Sequence, residues 1–311
     1  SLQLSLTIAV TYLVVRMLGR PPGEAVFMGL LVALSSTAVV LKVLQSRAEI
    51  NTHYGSASVG ILIFQDLAIV PMILFVPFLD GSGGSLLGPM AWMLLKGVGV
   101  VALTYLSAKH LVPRLLHQVA MTGNQELFLV TVLLIGLAVA WLTSAIGLSL
   151  ALGAFLAGLT ISESEYNYQA FGKIIPFRDL FTSFFFVSIG MLLDVGFFLD
   201  HPLLILGIAL GVLLVKTFIA GMVAFIIGFP FKVTVMVGLA LSQVGEFSFI
   251  LSGIGRESGL INEYYYQIFL AVVIITMALT PFILVWADPL TNLLMKLSLP
   301  EWMIRGLRPV P

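Results

Sequence analysis

Residues 203–229 read LLILGIALGVLLVKTFIAGMVAFIIGF, an apolar run in which Lys216 is the only charge. A bilayer is crossed by about 20 consecutive apolar residues, so this stretch is long enough to span one. In hydrocarbon every backbone N–H and C=O must find its partner inside the protein, which leaves the α-helix or a closed barrel as the only spanning structures. A barrel requires short alternating strands, and no such alternation occurs. The run therefore predicts a transmembrane helix.

Gly, Pro and charged residues divide the whole chain into candidates of the same kind, near 1–18, 25–44, 54–79, 88–111, 125–143, 147–161, 174–193, 202–229, 232–254 and 264–288. The expected fold class is an all-α membrane protein of about ten transmembrane helices, with the lipid bilayer as its first partner. Composition agrees, with 59% hydrophobic and only 10% charged residues, where a soluble domain carries about 25% charged. Fifteen basic and fifteen acidic side chains cancel, so no strong field points to nucleic acid. The absence of cysteine excludes disulfides and thiolate metal sites, and the four histidines form no ligand set. No cofactor is expected.

The opening run lacks a basic n-region and an initial Met, so it is read as a full helix inside a longer protein rather than a cleavable signal. Alternate loops differ in charge. Lys42, Arg47, Lys109, Arg114, Lys173, Lys232, Lys296, Arg305 and Arg308 collect on one side, against mainly Arg16, Arg20, Lys96 and Arg256 on the other. By the positive-inside rule the first side, and the C-terminus with it, is expected to be cytoplasmic. The segment DGSGGS at 80–85 is expected to be an external loop, and Pro71 and Pro77 are expected to kink their helix.

Against this apolar background a few polar residues stand out. Gln65 and Asp66 lie side by side in VGILIFQDLAIVPMILFVPFL, residues 59–79. A carboxylate at mid-bilayer costs at least about 2.5–3.5 kcal/mol, so Asp66 is either protonated and bonded between helices, or it faces water and binds an ion or a proton. Gln65 adds a neutral oxygen for a cation, or an interhelical hydrogen bond. Lys216 is the opposite charge at a similar depth, and an Asp66–Lys216 ion pair would relieve both desolvation penalties; a purely structural bridge is the alternative. Glu246 is a third buried acid, accompanied by Ser242 and Gln243 in LSQVGEFSFILSGIG. Ser35, Ser36 and Thr37 supply oxygens in ALSSTAVVL at 33–41, and oxygen is what hard cations prefer. ALSSTAVVL at 33–41 and ALSQVGEFSFIL at 240–251 share Ala-Leu-Ser and come out in opposite orientations, as the inverted repeats of secondary transporters do, although chance and small-residue helix packing produce such echoes too.

The segments ALSSTAVVLKVL, ILIFQDLAIVP, GAFLAGLTIS, FFFVSIGMLLD, LLVKTFIAG and LSQVGEFSFIL, in that order, together resemble the Kef-type potassium/proton antiporters of the cation/proton antiporter superfamily. The resemblance implies a membrane transport domain over 1–311, with core helices near 25–79 and 202–288 and scaffold and linker helices near 88–193. It further implies an inverted-repeat fold with two crossed, partly unwound helices, and a homodimer in the plasma (inner) membrane. By motif, Asp66 is similar to the family's ion- and proton-binding acid and transient metal ligand, Gln65 to its paired position, and Lys216 to the core lysine. Ser35, Ser36, Thr37, Ser242, Gln243 and Glu246 match the crossing region. The implied substrates are K⁺, with Na⁺ as the alternative, and H⁺. Sodium-type relatives carry Asp-Asp where this chain reads Gln65-Asp66, and the cytoplasmic nucleotide-binding domain frequent in the family is absent from this sequence and expected elsewhere in the full-length protein.

One carboxylate that holds either a proton or a monovalent cation predicts electroneutral exchange, whereas a proton released by Lys216 on cation binding would make the cycle carry charge. The alternatives are a cation channel, for which no filter-like loop is present, and a non-transporting membrane sensor. An intramembrane hydrolase lacks a matched catalytic set.

Overall fold

The computed structural model describes residues 2–79, 87–146 and 150–296. In chain order the helices are α1 Leu2–Met17, α2 Pro22–Ala33, α3 Thr37–Ser46, α4 His53–Phe75, α5 Leu87–Leu106, α6 Val112–Met121, α7 Gln125–Ala145, α8 Leu150–Ser162, α9 Asn167–Leu192, α10 Val195–Asp200, α11 Pro202–Ile227, α12 Phe231–Ala240, α13 Phe247–Glu257 and α14 Glu263–Leu294. A 3₁₀ turn, Val76–Phe78, follows α4, and a π-helical segment, Ser107–Leu111, joins α5 to α6. No strand occurs among the described residues.

Polar side chains start these helices where the apolar sequence alone would not. The side-chain oxygens of Thr52, Asn124 and Asn262 accept N–H groups in the first turns of α4, α7 and α14, satisfying donors that an intrahelical ladder leaves free. Gly228, with φ 114°, ends α11 in a left-handed cap, the conformation glycine adopts without steric cost.

Burial is inverted relative to a water-soluble protein. Trp141, Phe218 and Phe282 are 66–70% exposed, whereas Gln65 and Lys216 are at most 1% exposed. Lipid as solvent accounts for this, because hydrocarbon tolerates exposed aromatic and aliphatic groups and drives polar ones inward. Six helical stretches among the described residues are long and apolar enough to cross a membrane: Pro22–Ser46, His53–Phe75, Gln125–Ala145, Asn167–Leu192, Pro202–Ile227 and Glu263–Leu294. The chain is an all-α integral membrane protein.

The helices fall into two compact units. One comprises Ser1–Gly81 with Ile189–Pro311, the other Ser82–Ser188. In the first, α1 packs on α2, and α12 packs on α4, α11 and α14. Its apolar centre includes Val40, Leu44, Leu62, Ala220, Val237 and Leu284. Ion pairs of Arg47 with Glu49 and Asp288, and of Lys232 with Asp288, tie the end of α3 to the start of α12 and to α14. In the second unit, Val112, Leu116, Phe128, Val132, Ile135 and Ala170 form a separate core between α6, α7 and α9.

Several elements differ from the sequence-based expectation. The span expected at 25–44 is two helices, with Leu34 extended at φ −80°, ψ 141° between them. The span expected at 232–254 is likewise divided, between Ala240 and Phe247. The helix expected to end near 111 continues through the π-helical segment to Met121, and that expected from 174 begins at Asn167. Pro71 lies inside α4, which runs unbroken to Phe75. The expected loop at 80–85 and the tail residues Arg305 and Arg308 lie outside the described residues.

Candidate functional site

The site is built on the two broken helices. Where α2 stops, Leu34 points its carbonyl into the gap, and Ser36 starts α3 by accepting the Val39 N–H at 3.1 Å. Where α12 stops at Leu241, the chain runs without helix to Glu246 before α13 begins. The two gaps touch. Gly245 N–H donates to Leu34 O at 3.1 Å, the Ser35 hydroxyl donates to Leu241 O at 2.9 Å, and Gln243 Nε2 donates to Ser36 O at 3.4 Å. A Cβ on residue 245 would stand 2.5 Å from Ser35 C and O, so only glycine permits this approach.

Lys216 reaches the gap from α11 and is fully buried; its Nζ donates to Leu34 O and Gln243 O, each at 2.7 Å. One lysine thus bonds to both gaps. The expected ion pair with Asp66 is absent, and Lys216 Nζ is held instead on these two carbonyls. The physical reason is that an interrupted helix leaves carbonyls without intrahelical donors at its C-terminal end, carrying partial negative charge into the membrane interior. The lysine nitrogen finds two such acceptors there.

The acids take the complementary end. Thr37 Oγ1 lies 3.0 Å from both oxygens of Asp66, and Glu246 Oε1 accepts the Ala38 N–H at 3.1 Å. Asp66 and Glu246 therefore converge on the first turn of α3, where free N–H groups favour negative charge. Gln65 occupies the adjoining position, and its Oε1 accepts the Ser35 N–H at 2.7 Å. Its amide nitrogen continues to Gln3 on α1 at 2.8 Å, a residue outside the set selected from the sequence.

Of the nine residues selected from the sequence, Ser35, Ser36, Thr37, Gln65, Asp66, Lys216, Gln243 and Glu246 are thus brought together around the two gaps. Ser242 is adjacent in sequence, but its hydroxyl donates only to Leu239 O at 2.9 Å, within its own chain turn. Gln243 Oε1 and Glu246 Oε2 are buried acceptors without a hydrogen-bond partner. The acceptors that converge here are oxygens, among them the half-buried carboxylates of Asp66 and Glu246, which is the chemistry that suits a proton or a hard monovalent cation. Among the described residues no cluster of His, Cys, Asp and Glu could hold a resident metal.

The sequence matches the family described as "Sodium/hydrogen exchanger, transmembrane" over residues 1–287. The chain belongs to this exchanger family. Among curated relatives it is 35% identical over 292 residues to K(+) efflux antiporter 2, chloroplastic, of Arabidopsis thaliana, covering 91% of this chain and 25% of that one. It is 34% identical over 267 residues to K(+) efflux antiporter 3, chloroplastic, of the same plant, covering 85% and 34%. To the glutathione-regulated potassium-efflux system protein KefC of Salmonella schwarzengrund (strain CVM19633) it is 33% identical over 262 residues, covering 84% and 42%. This exchanger-family chain spans less than half the length of each of these relatives.

Proposed function

We propose that the protein exchanges a monovalent cation for H⁺ across the membrane, with Asp66 as the group that carries one or the other. The observation that carries this reading is the position of Asp66: a half-buried carboxylate in the middle of α4, held by Thr37 at the start of a broken helix. Membership of the exchanger family supports the same chemistry. K⁺ is the proposed cation, Na⁺ the alternative, because several relatives bear the name K(+) efflux antiporter.

The cycle follows from charge. Deprotonated Asp66 takes the cation, protonation expels it, and the loaded site has the same charge in both cases. Lys216 bonds to Leu34 and Gln243 rather than to Asp66, which supports a lysine that stays outside the exchange step and hence an electroneutral, one-for-one cycle. The two compact units correspond to a proposed core and scaffold whose relative movement exposes Asp66 to each side in turn. If the broken pairs α2–α3 and α12–α13 each count as one pass, α5 with α6 as another, and the six-residue α10 as none, the proposed topology has ten passes in an inverted-repeat arrangement with the C-terminus in the cytoplasm. A homodimer in the plasma (inner) membrane, with a regulatory domain elsewhere in the full-length protein, completes the proposal.

The test is cation-driven proton movement in proteoliposomes holding a trapped pH dye, run with each alkali cation. Asp66→Asn is expected to abolish the signal while leaving the thermal midpoint of the purified protein in the folded range. Robust, saturable exchange by that variant overturns the assignment, and unitary currents in place of coupled flux overturn antiport itself.

A further inference from the structure

Helix α1 buries two polar side chains. Gln3 and Thr7 are fully buried and lie one turn apart, while Leu13, Val14 and Met17 are 51–85% exposed. A polar pair sealed inside a membrane protein needs internal partners. Here the partners form one continuous chain of hydrogen bonds leading to the crossing. Ser35 N–H donates to Gln65 Oε1 at 2.7 Å; Gln65 Nε2 donates to Gln3 Oε1 at 2.8 Å; Gln3 Nε2 donates to Thr7 Oγ1 at 3.1 Å; and the Thr7 hydroxyl donates to Gln3 O at 2.9 Å.

The direction of this chain cannot reverse. It begins at a backbone N–H, which only donates, and ends at a backbone carbonyl, which only accepts. The single Thr7 hydrogen is directed at Gln3 O, so Thr7 must accept from the Gln3 amide nitrogen. Gln3 then presents oxygen to Gln65, and Gln65 must present nitrogen back to it. A flip of either amide would set donor against donor or acceptor against acceptor among buried groups, where each unmade bond is costly. Gln65 Oε1 is consequently fixed on Ser35.

We infer that Gln3 is a positioning residue that sets cation preference by withholding the Gln65 oxygen from the transported ion, so that α4 offers the ion the Asp66 carboxylate alone. This rests on the antiport reading above. When the chain is cut at Gln3 or Thr7, the Gln65 amide nitrogen loses its anchor and the Ser35 N–H alone holds the oxygen; the amide can then swing that oxygen toward the ion at the cost of one hydrogen bond, and the relative affinities for cations of different size change. Asp66 itself is untouched, so exchange persists.

The experiment uses the full-length protein and the variants Gln3→Leu, Thr7→Val, Thr7→Ser and the double variant Gln3→Leu/Thr7→Val. The apparent dissociation constants for K⁺ and Na⁺ are read from cation-dependent thermal stabilisation, and the corresponding KM values from proteoliposome exchange. Gln3→Leu and Thr7→Val are expected to move the K⁺/Na⁺ ratio in the same direction by about threefold or more, the effect of one released hydrogen bond. Thr7→Ser, which keeps the hydroxyl, retains the wild-type ratio, and the double variant matches Gln3→Leu alone because both changes cut one chain. Thr7→Val is nearly isosteric, so the result does not depend on Gln3→Leu folding well. An unchanged ratio in folded Thr7→Val or Gln3→Leu, with only the thermal midpoint lowered, overturns the inference and leaves Gln3 a packing residue. Failure of the wild-type protein to bind or exchange either cation is a different result, and it overturns the antiport reading instead.

Discussion

Adding one methyl group at Gly245 tests the crossing directly. The Ala Cβ would stand 2.5 Å from Ser35 C and O and 2.8 Å from Ser36 N, where carbon contacts are comfortable at about 3.5–4.0 Å. All three atoms belong to backbone, so no side chain can rotate aside. The two gaps must move apart by roughly 1 Å, which lengthens the Gly245–Leu34 bond of 3.1 Å and pulls on the Ser35–Leu241 bond of 2.9 Å. Overpacking costs about 1–3 kcal/mol and two weakened hydrogen bonds about 1 kcal/mol each, so the expected loss is about 4 kcal/mol. At about 2 °C or more per kcal/mol, the thermal midpoint of purified Gly245→Ala should fall by roughly 8 °C or more, with exchange lost in parallel. Gly253→Ala is the control. A methyl group added there meets nothing within 4 Å, and the position lies within α13, so Ala should be neutral or stabilising by up to about 1 kcal/mol. A Gly245→Ala variant with the midpoint and exchange of Gly253→Ala would refute the close backbone crossing.

Two further outcomes follow from the site. Lys216→Met removes the donor of the buried Gln243 carbonyl and one of the two donors of Leu34 O, which keeps the Gly245 N–H; this should destabilise the protein by about 2–4 kcal/mol, read as a lowered thermal midpoint, and a wild-type midpoint would mean that those bonds contribute nothing. With the membrane potential clamped at different values, wild-type exchange should keep the same rate, and a steep voltage dependence would contradict one-for-one exchange.

Six of the ten expected spans were legible, because the bilayer imposes a length and an apolar composition that few other structures share. The gaps in the helices were not legible from the local residues, and only the family resemblance led to an expectation of partly unwound helices there. ALSSTAVVL contains neither Gly nor Pro, so nothing local ends α2 at Ala33; the break is held from outside, by Gln65 on the Ser35 N–H and Lys216 on the Leu34 carbonyl. The polar residues themselves announced their importance, since each is expensive in hydrocarbon, but their pairing did not. Opposite charges suggested an Asp66–Lys216 contact, whereas Lys216 bonds to main-chain carbonyls, which every residue possesses and no sequence distinguishes. Gln3 and Thr7 were only weakly open to detection. They lie one turn apart on a mostly apolar helix that also carries Ser5, Thr11, Tyr12 and Arg16, so their i, i+4 spacing is only a faint trace of the chain that reaches Gln65.

The central claim is that one carboxylate exchanges a proton for a cation. Its most direct measurement is the number of protons released when K⁺ is added to the purified, weakly buffered protein, followed with a pH-indicating dye. Wild-type protein should release close to one proton per cation bound, and Asp66→Asn should release none. Cation binding without proton release in the wild type, or undiminished release from Asp66→Asn, would contradict the account.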